Sequence, residues 1–208
     1  MRYLILLTVL LAATSTRADF FDNISSQISS FFRSYEEPIY NTTHLYPGYQ
    51  ERVYAPSKWV CTEHTAHSDD DDVTEVMFWK LFRYISGDND RSEKIDMTIP
   101  VTTEFTKGGA TNQYEMCFYI GLEHQSNPAI PTDAQVTIQE RPQLTVLTRT
   151  IGGYVEDDEE WLEEASRLAE IIKANNGETV SLSHMYWVGY DAPFKFWNRR
   201  NEVWFIKN

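Results

Sequence analysis

QERVYAPSKWVCTEH, residues 50–64, returns in altered form as QERPQLTVLTRTIGG, residues 139–153. Each copy runs into an acidic stretch, SDDDD at 68–72 and EDDEE at 156–160, and each acidic stretch opens a helical pattern. QYEMCFYIG from Gln113 is then matched by RNEVWFIKN from Arg200 at nearly the same offset. The same order at nearly constant spacing describes two related halves rather than one irregular chain.

Outward from these pairs the elements follow. Arg52–His64 and Thr137–Thr150 are rich in β-formers with turn residues at their edges, and Ile95–Thr106, Gln113–Leu122, Val180–Gly189 and Glu202–Lys207 also read as strands. Val73–Ile85 and Glu159–Ala174 have helical periodicity, closed by Ser86-Gly87 and by Asn175-Asn176-Gly177. Each half is strand, helix, strand, strand. The expected fold is α+β: a distorted antiparallel β-barrel carrying two helices, built from two pseudo-twofold βαββ repeats at about 49–122 and 137–208.

The chain opens MRYLILLTVLLAATSTRA, a basic residue, an apolar run too short to span a bilayer, and small residues before Ala18. This is a signal-peptide pattern over residues 1–18, and it predicts secretion to the extracellular space. Its removal takes away Arg2 and Arg17 and no acid, moving the net charge from −13 to −15. So acidic a surface repels nucleic acid and anionic lipid, which excludes a phosphate-backbone partner and weighs against a membrane one.

In a secreted chain Asn23-Ile24-Ser25 and Asn41-Thr42-Thr43 are glycosylation sequons at Asn23 and Asn41, near the mature N-terminus where a glycan would meet little folded structure. Cys61 and Cys117 are the only cysteines, and an oxidising compartment favours one disulfide between them over two buried thiols. Residues 19–45 form an N-terminal extension before a domain at 46–208. Phe20, Phe21, Ile24, Ile28, Phe31, Phe32 and Tyr35 recur at helical spacing there, which predicts a short docked helix.

His64 and His67 beside the aspartate run suggest a metal site. The second half has acid at the same place and no histidine, so the shared feature is acid at a helix start. Asp72-x-x-Glu75 and Asp157-x-x-Glu160 have capping-box spacing. A dedicated metal site needs three or four convergent ligands, and two histidines in a loop do not supply them. No Gly-x-Ser-x-Gly elbow, phosphate loop or His-Glu-x-x-His is present, so no catalytic residue is nominated and the chain is read as a binder, not an enzyme.

The helices differ. The second has one ordinary apolar stripe of Trp161, Ala165, Leu168 and Ile172, with Leu162 and Ala169. In the first, Met77, Phe78, Leu81, Phe82 and Ile85 account for a sheet-facing stripe, and Val76, Trp79 and Tyr84 widen the apolar surface beyond it. A flat apolar ligand, a partner protein or the N-terminal segment could cover that excess. Lys80, Arg83 and Lys195 could place positive charge beside an anionic group there.

KLFRYISGDNDRSEKIDMTIPV from Lys80, VTIQERPQLTVLTRTIGGY from Val136 and VGYDAPFKFWNRRNEVWFIK from Val188 resemble the SOUL haem-binding protein family, with YQERVYAPSKWV from Tyr49 fitting its opening strand. The signal peptide places the likeness with secreted, haem-binding-protein-2-like members. The resemblance implies a distorted β-barrel with two helices and non-catalytic binding of haem or a related tetrapyrrole as a carrier or scavenger. It implies a macrocycle against the first helix at Met77, Phe78, Leu81 and Phe82, with Arg83 and Lys195 near the propionates. Some members carry a candidate iron ligand in the opening strand; that position is Val53 here, so ligation from it is excluded. The alternatives are a module for another flat apolar ligand, or a protein-interaction module using the first helix or residues 19–45. The fold also resembles bacterial drug-sensing effector domains, which take flat apolar molecules.

Overall fold

In the computed structural model, residues 35–67, 70, 73–155, 157–191 and 199–207 are described. They fold, from Glu36 onward, as one α+β unit. Nine strands, β1 (Tyr40–Tyr46), β2 (Tyr49–Tyr54), β3 (Ser57–Ala66), β4 (Val101–Thr106), β5 (Asn112–Tyr119), β6 (Val136–Arg141), β7 (Leu144–Gly152), β8 (His184–Gly189) and β9 (Arg200–Ile206), make one sheet in the order β1-β2-β7-β9-β8-β4-β5-β3-β6. Every pairing is antiparallel. The sheet curls into a half-barrel that ends at β1 and β6. Helices α1 (Val73–Ser86) and α2 (Asp158–Asn176) lie on it.

Prolines account for most of the differences from expectation. The run Arg52–His64 is two strands broken at Ala55-Pro56, and Thr137–Thr150 is two strands broken at Pro142-Gln143. The expected strand Ile95–Thr106 begins only at Val101, because Pro100 has no N–H to give a ladder. The sheet starts at Tyr40, inside the segment assigned to an N-terminal extension. β1 pairs with β2 from Tyr40↔Tyr54 to Tyr46↔Tyr49. Asn41 therefore sits on a strand, opposite Val53, where the expectation was that its sequon would meet little folded structure. The helical pattern from Phe20 to Phe32, Asn23 and the signal-peptide segment lie outside the described residues.

α2 is closed at both ends as its sequence directs, and α1 stops at Ser86, before Gly87. The Asp157 carboxylate accepts from the Glu160 N–H at 2.9 Å, and Gly177 at φ 74° closes α2 with its N–H on the Lys173 carbonyl. Asp72 lies outside the described residues. On α2, Ala165, Leu168 and Ile172 are fully buried, and Trp161 stacks on Trp187 of β8 with ring centroids 5.7 Å apart. The main core lies between the helices and the sheet.

The opposite face of the sheet is also filled. Tyr54, Val146, Tyr186, Val188, Tyr190 and Trp204 form one apolar cluster, and Trp59, Cys61, Cys117 and Tyr119 another. The expected disulfide is present: Cys61 and Cys117 are directly opposed on β3 and β5, with Cα atoms 4.1 Å apart.

Four carboxyls tie this fold to pH. Burial pushes Glu202 up, but the Arg52 charge and its hydrogen bonds outweigh that and hold it below the usual carboxylate value. The hydrogen bond from Lys207 holds Glu51 low. Burial pushes Glu115 up against the bonds from Gln139 and the Arg141 charge, with Glu104 and Glu63 in register beside it; burial also raises Asp158.

A raised carboxyl makes the native state take up protons first, so stability grows as pH falls through its folded value. A depressed one contributes above the unfolded-state value, and its contribution is lost as pH falls through the folded value. Stability should therefore rise from neutral into mildly acidic pH and fall at stronger acid. Urea midpoints across pH check this, and Glu115→Gln should flatten the first rise. A midpoint that declines steadily from neutral downward would reject the assignment.

Candidate functional site

The site is built on α1 by what the helix buries and what it leaves out. Val73, Met77, Leu81, Tyr84 and Ile85 face the core, with Met77 and Leu81 0% exposed. Tyr84 does not widen the outer apolar surface as expected. It is buried, its hydroxyl donates to the Ala129 carbonyl at 2.9 Å, and burial raises its phenol to about 12. The physical reason is the segment before β6, which folds back along the helix and gives that hydroxyl a partner.

The outer face is aromatic. Trp79 is 52% exposed and Val76 43%, while Phe78 and Phe82 are half-buried. Trp79 meets Phe82 edge-on at 5.4 Å and Phe78 at 5.7 Å, and Phe78 and Phe82 stack at 5.9 Å. Phe78 also reaches Phe118 of β5 at 5.4 Å, which anchors the cluster to the sheet. The Trp79 indole N–H donates to Glu75 Oε1 one turn earlier at 3.2 Å, holding the ring on the surface. Three rings held this way offer a flat apolar partner a surface already in place.

Of the expected ligand residues, the structure brings Phe78, Phe82 and Arg83 to or near the outer face and puts Met77 and Leu81 beneath it. Lys195 lies outside the described residues. Arg83 is exposed but engaged: its Nη2 donates to Asp133 Oδ2 at 3.3 Å, and its Nε lies 4.0 Å from Asp88. Exposed pairs of this kind are worth about 0–1 kcal/mol, so a ligand carboxylate can exchange for them. Trp79, surplus apolar surface by its sequence position, is the most exposed ring of the group. Its position outside the sheet-facing stripe was the available signal.

His67 is exposed and bonds through Nδ1 to the Ala110 carbonyl at 2.9 Å; His64 is half-buried on β3 opposite Tyr114. Neither belongs to a ligand cluster among the described residues. The group that does, Cys61, Glu115 and Cys117, has both sulfurs joined to each other. Val53 is half-buried on β2 between Asn41 and Thr145. A shallow depression along α2, lined by Asp158, Glu159, Leu162, Glu163, Ser166 and Arg167, is acid-rich and would repel an anionic ligand.

Comparison with known proteins agrees with this architecture. The SOUL heme-binding protein family model matches residues 35–206, beginning upstream of Tyr49 and taking in β1. The chain is 34% identical over 165 residues to heme-binding protein 2 of Homo sapiens, covering 77% of this chain and 79% of that one. It is also 34% identical over 163 residues to heme-binding protein 1 of Sus scrofa, covering 76% and 84%. Among solved structures, a conserved protein from Listeria innocua superimposes with a TM-score of 0.51 at 7% identity, covering 88% of this chain and 98% of that one. The EcmrR C-terminal domain gives 0.50 at 11%, covering 77% and 98%. The two bacterial structures share the fold alone. With the family match spanning the whole sheet and both helices, this chain belongs to the SOUL heme-binding protein family.

Proposed function

We propose that the chain is exported and binds haem or a related tetrapyrrole without catalysis, as a carrier or scavenger. The macrocycle lies on the outer face of α1 against Trp79, Phe78 and Phe82. Arg83 and Lys195 meet the propionates, with Arg83 exchanging Asp133 and Asp88 for the ligand. Met77 and Leu81 support the helix from below. The observation that carries this reading is the three-ring cluster on α1, with Trp79 exposed over half-buried Phe78 and Phe82, in a member of this family.

Hemin titration of residues 19–208 tests it, followed by the Soret band and tryptophan quenching. Saturable one-to-one binding is expected. Trp79→Ala with Phe82→Ala, and separately Arg83→Glu with Lys195→Glu, should each weaken it by about tenfold or more, near 1.4 kcal/mol. Met77→Ala should instead lower stability by about 2–5 kcal/mol, as a core truncation does. Unsaturable binding, or wild-type affinity in both double variants, would reject the site. Tight binding of a different flat apolar molecule with hemin inert would keep the surface and change the ligand.

A further inference from the structure

Strands β1 and β6 end the sheet, and among the described residues each pairs on one side only. A free strand edge is a row of unpaired N–H and C=O groups that can template pairing with another chain. Native sheets blunt such edges with charge, proline or a bulge. The two edges here are protected unequally. β6 reads VTIQER, carries Glu140 and Arg141, and is followed at once by Pro142.

β1 reads YNTTHLY, with no Asp, Glu, Lys, Arg or Pro in seven residues, although the chain as a whole is strongly charged. Tyrosine and threonine favour strands. Asn41 to Leu45 are all exposed, and Leu45 is 75% exposed. The only guard the backbone supplies is one irregularity between Thr42 and His44. The same strand holds the sequon Asn41-Thr42-Thr43. The Thr43 hydroxyl donates to Glu51 Oε1 at 2.8 Å. Asn41 itself is in register opposite Val53 and is exposed, so a branched sugar can leave the strand without breaking a β1–β2 pair.

We propose that Asn41 carries an N-linked glycan, and that this glycan is what closes the β1 edge against a second copy of the chain. The inference rests on export. In the attachment step Asn41 Nδ2 forms a bond to the anomeric carbon of a polyisoprenyl-diphosphate-linked oligosaccharide supplied by the secretory pathway. The anomeric C–O bond breaks, the lipid diphosphate leaves with the electron pair, and Nδ2 gives up one proton to a base. The bulk and hydration of the glycan then occupy the space a partner strand would need, about 4.8 Å from β1.

The test uses the full chain, secreted from a eukaryotic host with Asn23→Gln so that Asn41 is the remaining sequon. Peptide mass mapping should show Asn41 occupied, and light scattering should show a monomer. Two forms lacking the bulk of the glycan are then compared: Asn41→Gln, and folded glycoprotein trimmed enzymatically to a single N-acetylglucosamine. Trimming avoids the new aspartate that complete enzymatic removal would leave on the strand. Both should move towards twice the monomer mass at the same concentration, and Leu45→Lys in either should restore the monomer.

An unoccupied Asn41 in secreted protein, or trimmed and Asn41→Gln forms that stay monomeric, would overturn the proposal. Retention in the cell with residues 1–18 uncleaved would overturn it together with the export reading. Hemin binding, read separately, bears on neither outcome.

Discussion

Glu202→Gln is expected to lower the unfolding free energy by about 3–5 kcal/mol, the cost of leaving one partner of a buried ion pair alone. Glu202 is 0% exposed on β9 and takes both arms of Arg52, at 2.8 and 3.2 Å, from β2. It also accepts from the Tyr190 hydroxyl and the Trp204 indole at 2.8 Å each, and from Thr148 at 3.3 Å. A neutral amide keeps the shape, but it leaves the buried Arg52 without its anion and turns an acceptor site into a donor. Arg200, half-buried beside Glu202 and lying over the Tyr190 ring at 3.7 Å, loses the same anion.

Denaturant unfolding followed by tryptophan fluorescence measures the loss. Arg52→Met with Glu202→Leu should cost less than Glu202→Gln alone, since a well-packed apolar pair replaces a broken ionic one. A loss below about 1 kcal/mol for Glu202→Gln would show that the charge is not what the network depends on.

The second large effect is expected from Cys61→Ala with Cys117→Ala. The bridge joins residues 56 apart in sequence, and on the chain-entropy estimate such a crosslink contributes about 4 kcal/mol. Both cysteines are fully buried. Trp59 and Tyr119 pack beside them, and Arg141 Nη2 lies 2.8 Å from Cys117 Sγ while its guanidinium sits over the Trp59 ring at 4.6 Å. Reductant should therefore act slowly on the folded protein and quickly once denaturant opens it, which thiol labelling with and without urea will distinguish. The urea midpoint of the double variant should match that of reduced wild type. A variant within about 1 kcal/mol of the oxidised protein would mean that the β3–β5 ladder already restricts the unfolded chain as much as the bond does.

Two cysteines in a chain with a signal-peptide pattern predict their own pairing. Nothing near Glu202 in sequence announces that its partner is Arg52, because the pair is 150 residues apart and meets only when β2, β7 and β9 are aligned. The helices lie at the legible end: apolar spacing, Asp157 at one end and Gly177 at the other act within a turn of the backbone they terminate. Strand breaks at Pro56, Pro100 and Pro142 were equally local, but apolar continuity concealed them.

By itself the sequence determined the α+β class, two helices and the caps of α2, most of the strands, the cysteine pair and the family. Apart from the cysteine pair, which follows from there being two cysteines and an export signal pattern, these rest on interactions between residues close along the chain or on motifs written contiguously. Tertiary structure alone decided that Tyr40–Tyr46 is the edge of the sheet and that Asn41 stands on it. It also decided that Tyr84 is a core residue, that Met77 and Leu81 lie under α1 while Trp79 and Phe82 lie outside, and that Arg52 meets Glu202. Each depends on which surface another part of the chain comes to cover. Burial and strand pairing are set by contacts between residues far apart in sequence, and the local pattern of either partner does not contain them.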